Sequence, residues 1–183
     1  MAAVLGFIAT VAHAAADFPA TLEEDGLRLT RAGTAVVRFA GILPLFDAVL
    51  YLADPADAGR VLDDVPKRLV IRYRRAIPPA ALNHAAERAL RATTRAGELD
   101  PVRDRLDRIA AWYRAVEPGD VYALTYVPGA GTRLELNGRA VGTVDGADFA
   151  RIYFGVWLHP RAPHGGLRED LLGAGNARGS EGG

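Results

Sequence analysis

Few side chains in this sequence are equipped for covalent chemistry. It has no cysteine, its only serine is Ser180 close to the C-terminal end, and its only lysine is Lys67. Thiolate metal sites, disulfides and cysteine nucleophiles are therefore excluded together. A serine-hydrolase elbow is excluded because no Gly-x-Ser-x-Gly exists. Any reaction needing an amine must use Lys67. The histidines beyond the first sixteen residues are His84, His159 and His164, and no two stand one helical turn apart as zinc ligands usually do. Surface histidines are the simpler reading, and no metal or other cofactor is expected. Gly129-Ala130-Gly131-Thr132 has the look of a phosphate loop, but it lacks the Gly-Lys-Ser/Thr ending and falls between two expected strands instead of opening a helix. A hairpin turn fits it better.

Arg38 is the residue with most to say. It follows Ala35-Val36-Val37 and precedes Phe39, so a permanently charged guanidinium sits in an apolar stretch. Burial would demand an anionic partner, such as a ligand carboxylate or phenolate. The plainer alternative is an arginine turned outward from a strand. Trp112, Tyr113 and Trp157 lie in helical settings and read as core more readily than as ligand stackers.

The elements that must position these residues follow from periodicity and turn chemistry. Residues 17–38 are short and turn-rich, with hairpins expected at Glu24-Asp25-Gly26 and at Arg31-Ala32-Gly33. Residues 43–52 form a nearly unbroken apolar run, a strand buried on both faces, with Pro44 marking an edge or bulge near its start. Residues 67–74 alternate, with Leu69, Ile71 and Tyr73 one way and Arg68, Arg72 and Arg74 the other. Pro78-Pro79 opens a helix over 80–94. Asp100 is expected to cap a second helix reaching about residue 115, with Leu106, Ile109 and Tyr113 on its apolar face. Three strands follow, over 120–127, 132–136 and 139–144, the last two joined by the hairpin signal Asn137-Gly138. A helix over 147–158 and a short one over 167–172 close the domain. Strands, a helical pair, a meander and closing helices make an α+β domain.

The chain has 183 residues, half of them hydrophobic, which suits one domain with a sizeable core. Its 22 basic and 22 acidic residues balance, so the basic footprint of a nucleic-acid coat is missing and no nucleic-acid partner is expected. Residues 1–16 carry no charged side chain, and an apolar run leads to Ala12-His13-Ala14, a small-x-small cleavage pattern. They read as a signal peptide whose charged start is missing, which points to a start further upstream. The run is too short to span a membrane, and no later segment qualifies, so no integral membrane segment is expected. The remaining assignments are a domain over 17–173 and a disordered, glycine-rich tail over 174–183. An exported chain without disulfides suggests a periplasmic or secreted protein.

The order of short motifs carries a resemblance. Phe18-Pro19 opens the domain, Arg38 precedes Phe46-Asp47-Ala48-Val49-Leu50-Tyr51-Leu52, and Pro66-Lys67-Arg68-Leu69 leads a strand. Pro118-Gly119-Asp120, Tyr126 through Thr132, Asn137-Gly138, Val156-Trp157-Leu158 and Leu167 through Gly173 follow in turn. In that order they resemble the bacterial exported branch of the chalcone isomerase-like family, over about residues 17–173. The resemblance implies a curved antiparallel sheet with helices packed on one face, an open-faced sandwich with an apolar cleft between the layers. Plant members cyclise chalcones to flavanones, an arginine holding and polarising the substrate. Other plant relatives lack isomerase activity and bind fatty acids with the same arginine.

Carried over by position, Arg38 matches that arginine. The threonine of the active enzymes falls at Phe46, which cannot donate a hydrogen bond. The helix over 80–94 should supply tyrosine, lysine and asparagine, and has Asn83 with His84 and Arg88. The late threonine or serine falls near Val156. One well-placed donor is worth about 2.7–4 kcal/mol in other enzymes, so losing several should leave little isomerase activity. The expected ligand site is Arg38, Phe46 and Asn83, with no catalytic residue assigned. The expected partner is a small apolar acidic molecule such as a fatty acid, and no protein partner is evident. The alternatives are an isomerase acting on a chalcone or another enone by preorganising the substrate, and an envelope interaction module without a ligand, whose cleft side chains such as Trp112 and Trp157 would fill.

Overall fold

The computed structural model describes residues 18–39 and 41–173. The expected signal peptide (1–16) and the expected tail (174–183) lie outside them. Seven strands form one antiparallel sheet in chain order: β1 (Thr21–Glu24), β2 (Leu27–Phe39), β3 (Leu43–Leu52), β4 (Lys67–Tyr73), β5 (Val121–Val127), β6 (Gly131–Leu136) and β7 (Arg139–Val144). Four α-helices accompany them: α1 (Pro79–Thr93), α2 (Arg103–Trp112), α3 (Ala147–Leu158) and α4 (Leu167–Leu171). This is the curved antiparallel α+β sandwich that the sequence suggested.

Strand alternation sorts the side chains onto two faces. Ala48, Leu50 and Leu52 of β3, Leu69 and Ile71 of β4 and Leu124 of β5 join the main core, together with Phe149, Phe154 and Leu158 of α3. Helix α3 is buried all round from Ile152 to Leu158, as expected of a helix apolar on every side. The opposite sheet face carries a smaller cluster of Phe18, Leu29, Val49 and Tyr51. The chain start is tied down there, since Arg31 donates to the Phe18 carbonyl at 2.6 Å and the Tyr51 hydroxyl donates to the Pro19 carbonyl at 3.0 Å.

The sheet curls. Arg133 of β6 pairs with both Glu24 and Asp25 at the β1–β2 turn. Five strand steps on a flat sheet would put them about 24 Å apart, at about 4.8 Å per step, beyond the reach of these side chains. The curl brings the first hairpin back over the face opposite the helices. Arg68 joins the same network, pairing with Glu135 and, at 3.3 Å, with Glu24.

Two local expectations are corrected. Arg31-Ala32-Gly33 is not a turn. It lies inside the 13-residue strand β2, where the register shifts between Arg31 and Gly33. Gly33 is needed there because a Cβ would sit 2.1 Å from the Asp170 carbonyl oxygen and 2.7 Å from the Leu171 one. The closing helix α4 packs directly on the backbone of β2. Asp100 does not cap α2. It begins a short 3-10 turn (Asp100–Val102), no side chain caps α2, and Asp100 instead pairs with Arg103 at 3.5 Å. Helix α2 ends at Trp112 because Tyr113 turns extended and leads into Val116, which exchanges two backbone hydrogen bonds with Ile77.

Candidate functional site

Pro44 explains where Arg38 ends up. Proline has no N–H for the ladder, so pairing between β2 and β3 is interrupted there. Val37 stands opposite Phe46, yet Arg38 stands opposite Pro44, one residue of β3 being skipped. Such a bulge re-aims the side chain that follows it. Arg38 is exposed, and it lines a groove of about 350 Å³ with Ala35, Val37, Pro163, His164, Leu167 and Asp170. It has no ion pair or hydrogen bond among the described residues. The groove lies between β2 and the segment around α4. The close approach at Gly33 sets that spacing.

Phe46 is half buried and does not line the groove. Its ring meets His164 edge-on at 6.5 Å between centroids, and His164 does line it. On its other side Phe46 packs against Tyr73 at 5.9 Å. Burial and the nearby Arg88 push the His164 imidazole below its ordinary pKa, so it is neutral at pH 7. Asp170 places a carboxylate in the same groove as Arg38.

Asn83 is elsewhere. On α1, its amide donates to the Ala110 carbonyl of α2 at 3.1 Å. It lines a different groove of about 310 Å³ between these helices, with Leu90, Leu106, Ile109 and Tyr153. The three residues expected to share one site are thus divided, Arg38 and Phe46 beside His164 and Asn83 in the α1–α2 groove. Val156, at the position of the family's late threonine or serine, is buried in α3.

Sequence reasoning missed the tyrosines that gather next to Phe46. Tyr73 contacts Tyr122 edge-on at 6.2 Å, Tyr122 contacts Tyr113 at 4.9 Å, and the Tyr113 and Tyr153 hydroxyls share a hydrogen bond of 2.9 Å. Burial pushes the hydroxyl pKa values of Tyr73, Tyr113 and Tyr153 well up, so all three remain protonated donors. They come from β4, α3 and the end of α2, so no single motif could announce them. The available signals were the parity of Tyr73 with Leu69 and Ile71 and the place of Tyr113 on the apolar face expected of the second helix.

Lys67, the only amine besides the chain terminus, offers no accessible nucleophile. It is fully buried, donates to the Asp63 and Val65 carbonyls at 3.0 and 2.8 Å, and lies 5.5 Å from the Phe154 ring centroid. Pro128-Gly129-Ala130 is the turn between β5 and β6, with Ala130 N–H donating to the Val127 carbonyl at 3.0 Å, and Gly131 opens β6. Among the described residues no three histidine, aspartate or glutamate side chains are placed to hold a metal ion, and no helix is long and apolar enough to cross a membrane.

A family model described as chalcone isomerase-like matches residues 10–173. The chain belongs to the chalcone isomerase-like family. The crystal structure of a fatty-acid binding protein from Arabidopsis thaliana superposes on this family member with a TM-score of 0.68 and 13% sequence identity, covering 85% of this chain and 90% of that one. At that identity the likeness is one of fold. A search of curated protein sequences gave no match. Within this fold Arg38 stands at the rim of a groove, and Phe46 packs against His164 of the same groove.

Proposed function

We propose that this protein is a non-catalytic binder of an apolar carboxylate, such as a fatty acid, belonging to the bacterial exported branch of its family and working in the periplasm or outside the cell. The carboxylate pairs with Arg38 and the tail lies against Ala35, Val37 and Leu167. The observation that carries this reading is Arg38 itself, a guanidinium without a partner among the described residues, beside a groove. A charge-assisted, bidentate pair is the strongest contact such a group can make. Phe46 supports a binding role over a catalytic one, because its ring offers no proton at the position where the resemblance expects a donor. The fatty-acid binding protein of like fold is consistent with this reading.

The test is displacement of a fluorescent fatty acid from the purified protein by palmitate. The expected result is saturable binding that weakens about tenfold or more in Arg38→Ala, as loss of one charged hydrogen bond of about 1.5–3 kcal/mol requires. Equal affinity in wild type and Arg38→Ala would remove the reading.

A further inference from the structure

The hairpin joining β2 and β3 projects past the rest of the sheet. The last pair between β3 and β4 is Phe46 with Tyr73, whereas β2 and β3 continue to Phe39 opposite Leu43. At the tip the usual burial of apolar side chains is reversed. Ile42 is 83% exposed, Phe39 66% and Leu43 38%, and these are the large exposed apolar residues of the described chain. Clustered apolar exposure of this kind marks an interaction site. We propose that this tip inserts into the surface of an anionic lipid bilayer and holds the mouth of the Arg38 groove there.

Three observations select a lipid surface. The first is shape. The apolar side chains cap a ribbon two strands wide, about 10 Å across. A stable protein interface needs about 800 Å² per partner, whereas a bilayer needs only a few side chains to pass its headgroups. The second is charge. One hollow beside the hairpin is lined by Arg38 and another by Arg74 and Arg75, against the acids Asp170 and Asp47. Asp47 is taken by Arg74 at 2.9 Å. The surplus is cationic and sits just behind the apolar tip, where lipid phosphates would lie. The third is continuity. Gly41 of the hairpin lines the same groove as Arg38, so the groove opens at the tip. The backbone suits shallow insertion, since Ile42 N–H donates to the Phe39 carbonyl at 3.1 Å inside the turn. Delivery of a fatty acid from the bilayer into the groove rests on the proposed function. Docking of the tip does not.

The experiment is co-sedimentation of the full chain with vesicles of phosphatidylcholine alone and of phosphatidylcholine mixed equally with phosphatidylglycerol. Wild type is expected to partition onto the anionic vesicles, and less so as salt is raised. The double variant Phe39→Ser, Ile42→Ser should lose about tenfold or more of that partitioning while melting like wild type, because neither side chain is packed. In Ile42→Trp, brominated lipid should quench added tryptophan emission that wild type lacks. Wild type left in the supernatant, a double variant that binds as well as wild type, or an Ile42→Trp signal without quenching would each overturn the proposal. Palmitate displacement without vesicles separates the two ideas. A double variant that takes up fatty acid normally but ignores vesicles supports tip docking, and vesicle binding by a protein that ignores palmitate would sink only the carboxylate site.

Discussion

Lys67 of β4 stands directly opposite Tyr126 of β5, its ammonium 4.6 Å from the centre of the ring. The pair is buried, and burial lowers the Lys67 pKa to about 8 despite the pull of Asp64 and Asp63. An unfolded lysine keeps its proton to about pH 10.4. Between about pH 8 and 10 the unfolded chain therefore holds more protons than the folded one, and stability rises with pH, by at most about 3 kcal/mol. The buried tyrosines act the other way. Their folded pKa values are raised, so above about pH 10 the unfolded chain ionises first and stability falls. Urea midpoints across pH 7 to 11 should show a maximum near pH 10. In Lys67→Met the rising limb should disappear, whatever the change in absolute stability. A flat wild-type profile between pH 8 and 10 would show that the ammonium is better solvated than its burial implies.

Asp170 shares the groove with Arg38, and its carboxylate repels the proposed ligand. Asp170→Asn keeps the shape and removes the charge, so palmitate should bind about two- to fivefold more tightly, the modest effect of a solvent-screened charge. Calorimetric titration checks this. Unchanged affinity would place the ligand carboxylate away from the Arg38 end.

His164 gives the same groove a pH response. Burial and Arg88 hold its pKa below the ordinary value near 6.5. The extra cation therefore arrives only in acid, and fatty-acid binding should tighten as pH falls from 7 toward 5. The sign for stability is opposite: the unfolded histidine takes up its proton first, so folding weakens over the same range. His164→Ala should flatten the binding profile. A wild-type affinity that does not move with pH would disconnect His164 from the site.

Much of the framework was legible because local chemistry dictated it. The apolar run of β3 is buried as read from Asp47 to Leu52, though not at its start, where Leu43 is exposed; Asn137-Gly138 could only turn, and Pro44 announced a break in pairing that the structure places opposite Arg38. What stayed hidden depends on distant partners. Arg31-Ala32-Gly33 reads like a turn because nothing nearby reveals that α4, more than 130 residues later, presses on Gly33. A family pattern groups Asn83 with Arg38, and only helix packing decides that it faces α2. Lys67 shares the parity of Leu69 and Ile71, which points to the buried face. A charged residue at a strand start is simply easier to read as exposed.

Catalysis should be absent on chalcones. Phe46 lies between Tyr73 and His164 and supplies no donor, and one of the Tyr113 and Tyr153 hydroxyls spends its proton on the other. A chalcone mixed with the protein should cyclise at the rate seen in buffer, followed directly by absorbance. Acceleration that disappears in Arg38→Ala would reinstate the isomerase reading.

Gly33 tests whether the groove depends on α4 docking. A Cβ there would sit 2.1 Å from the Asp170 carbonyl oxygen and 2.7 Å from the Gly173 nitrogen. These are backbone atoms, so no rotamer change can relieve the clash and the helix itself must move. Overpacking usually costs about 1–3 kcal/mol, and a rigid neighbour puts Gly33→Ala at the upper end of that range. Displacing α4 also widens the space between Arg38 and Leu167. The variant should therefore melt several degrees lower and, at temperatures where it is still folded, hold palmitate more weakly although Arg38 is intact. Thermal melts and titration on the same preparation check both parts. A Gly33→Ala protein that melts and binds like wild type would mean that α4 does not rest on β2 as closely as its position against Gly33 requires.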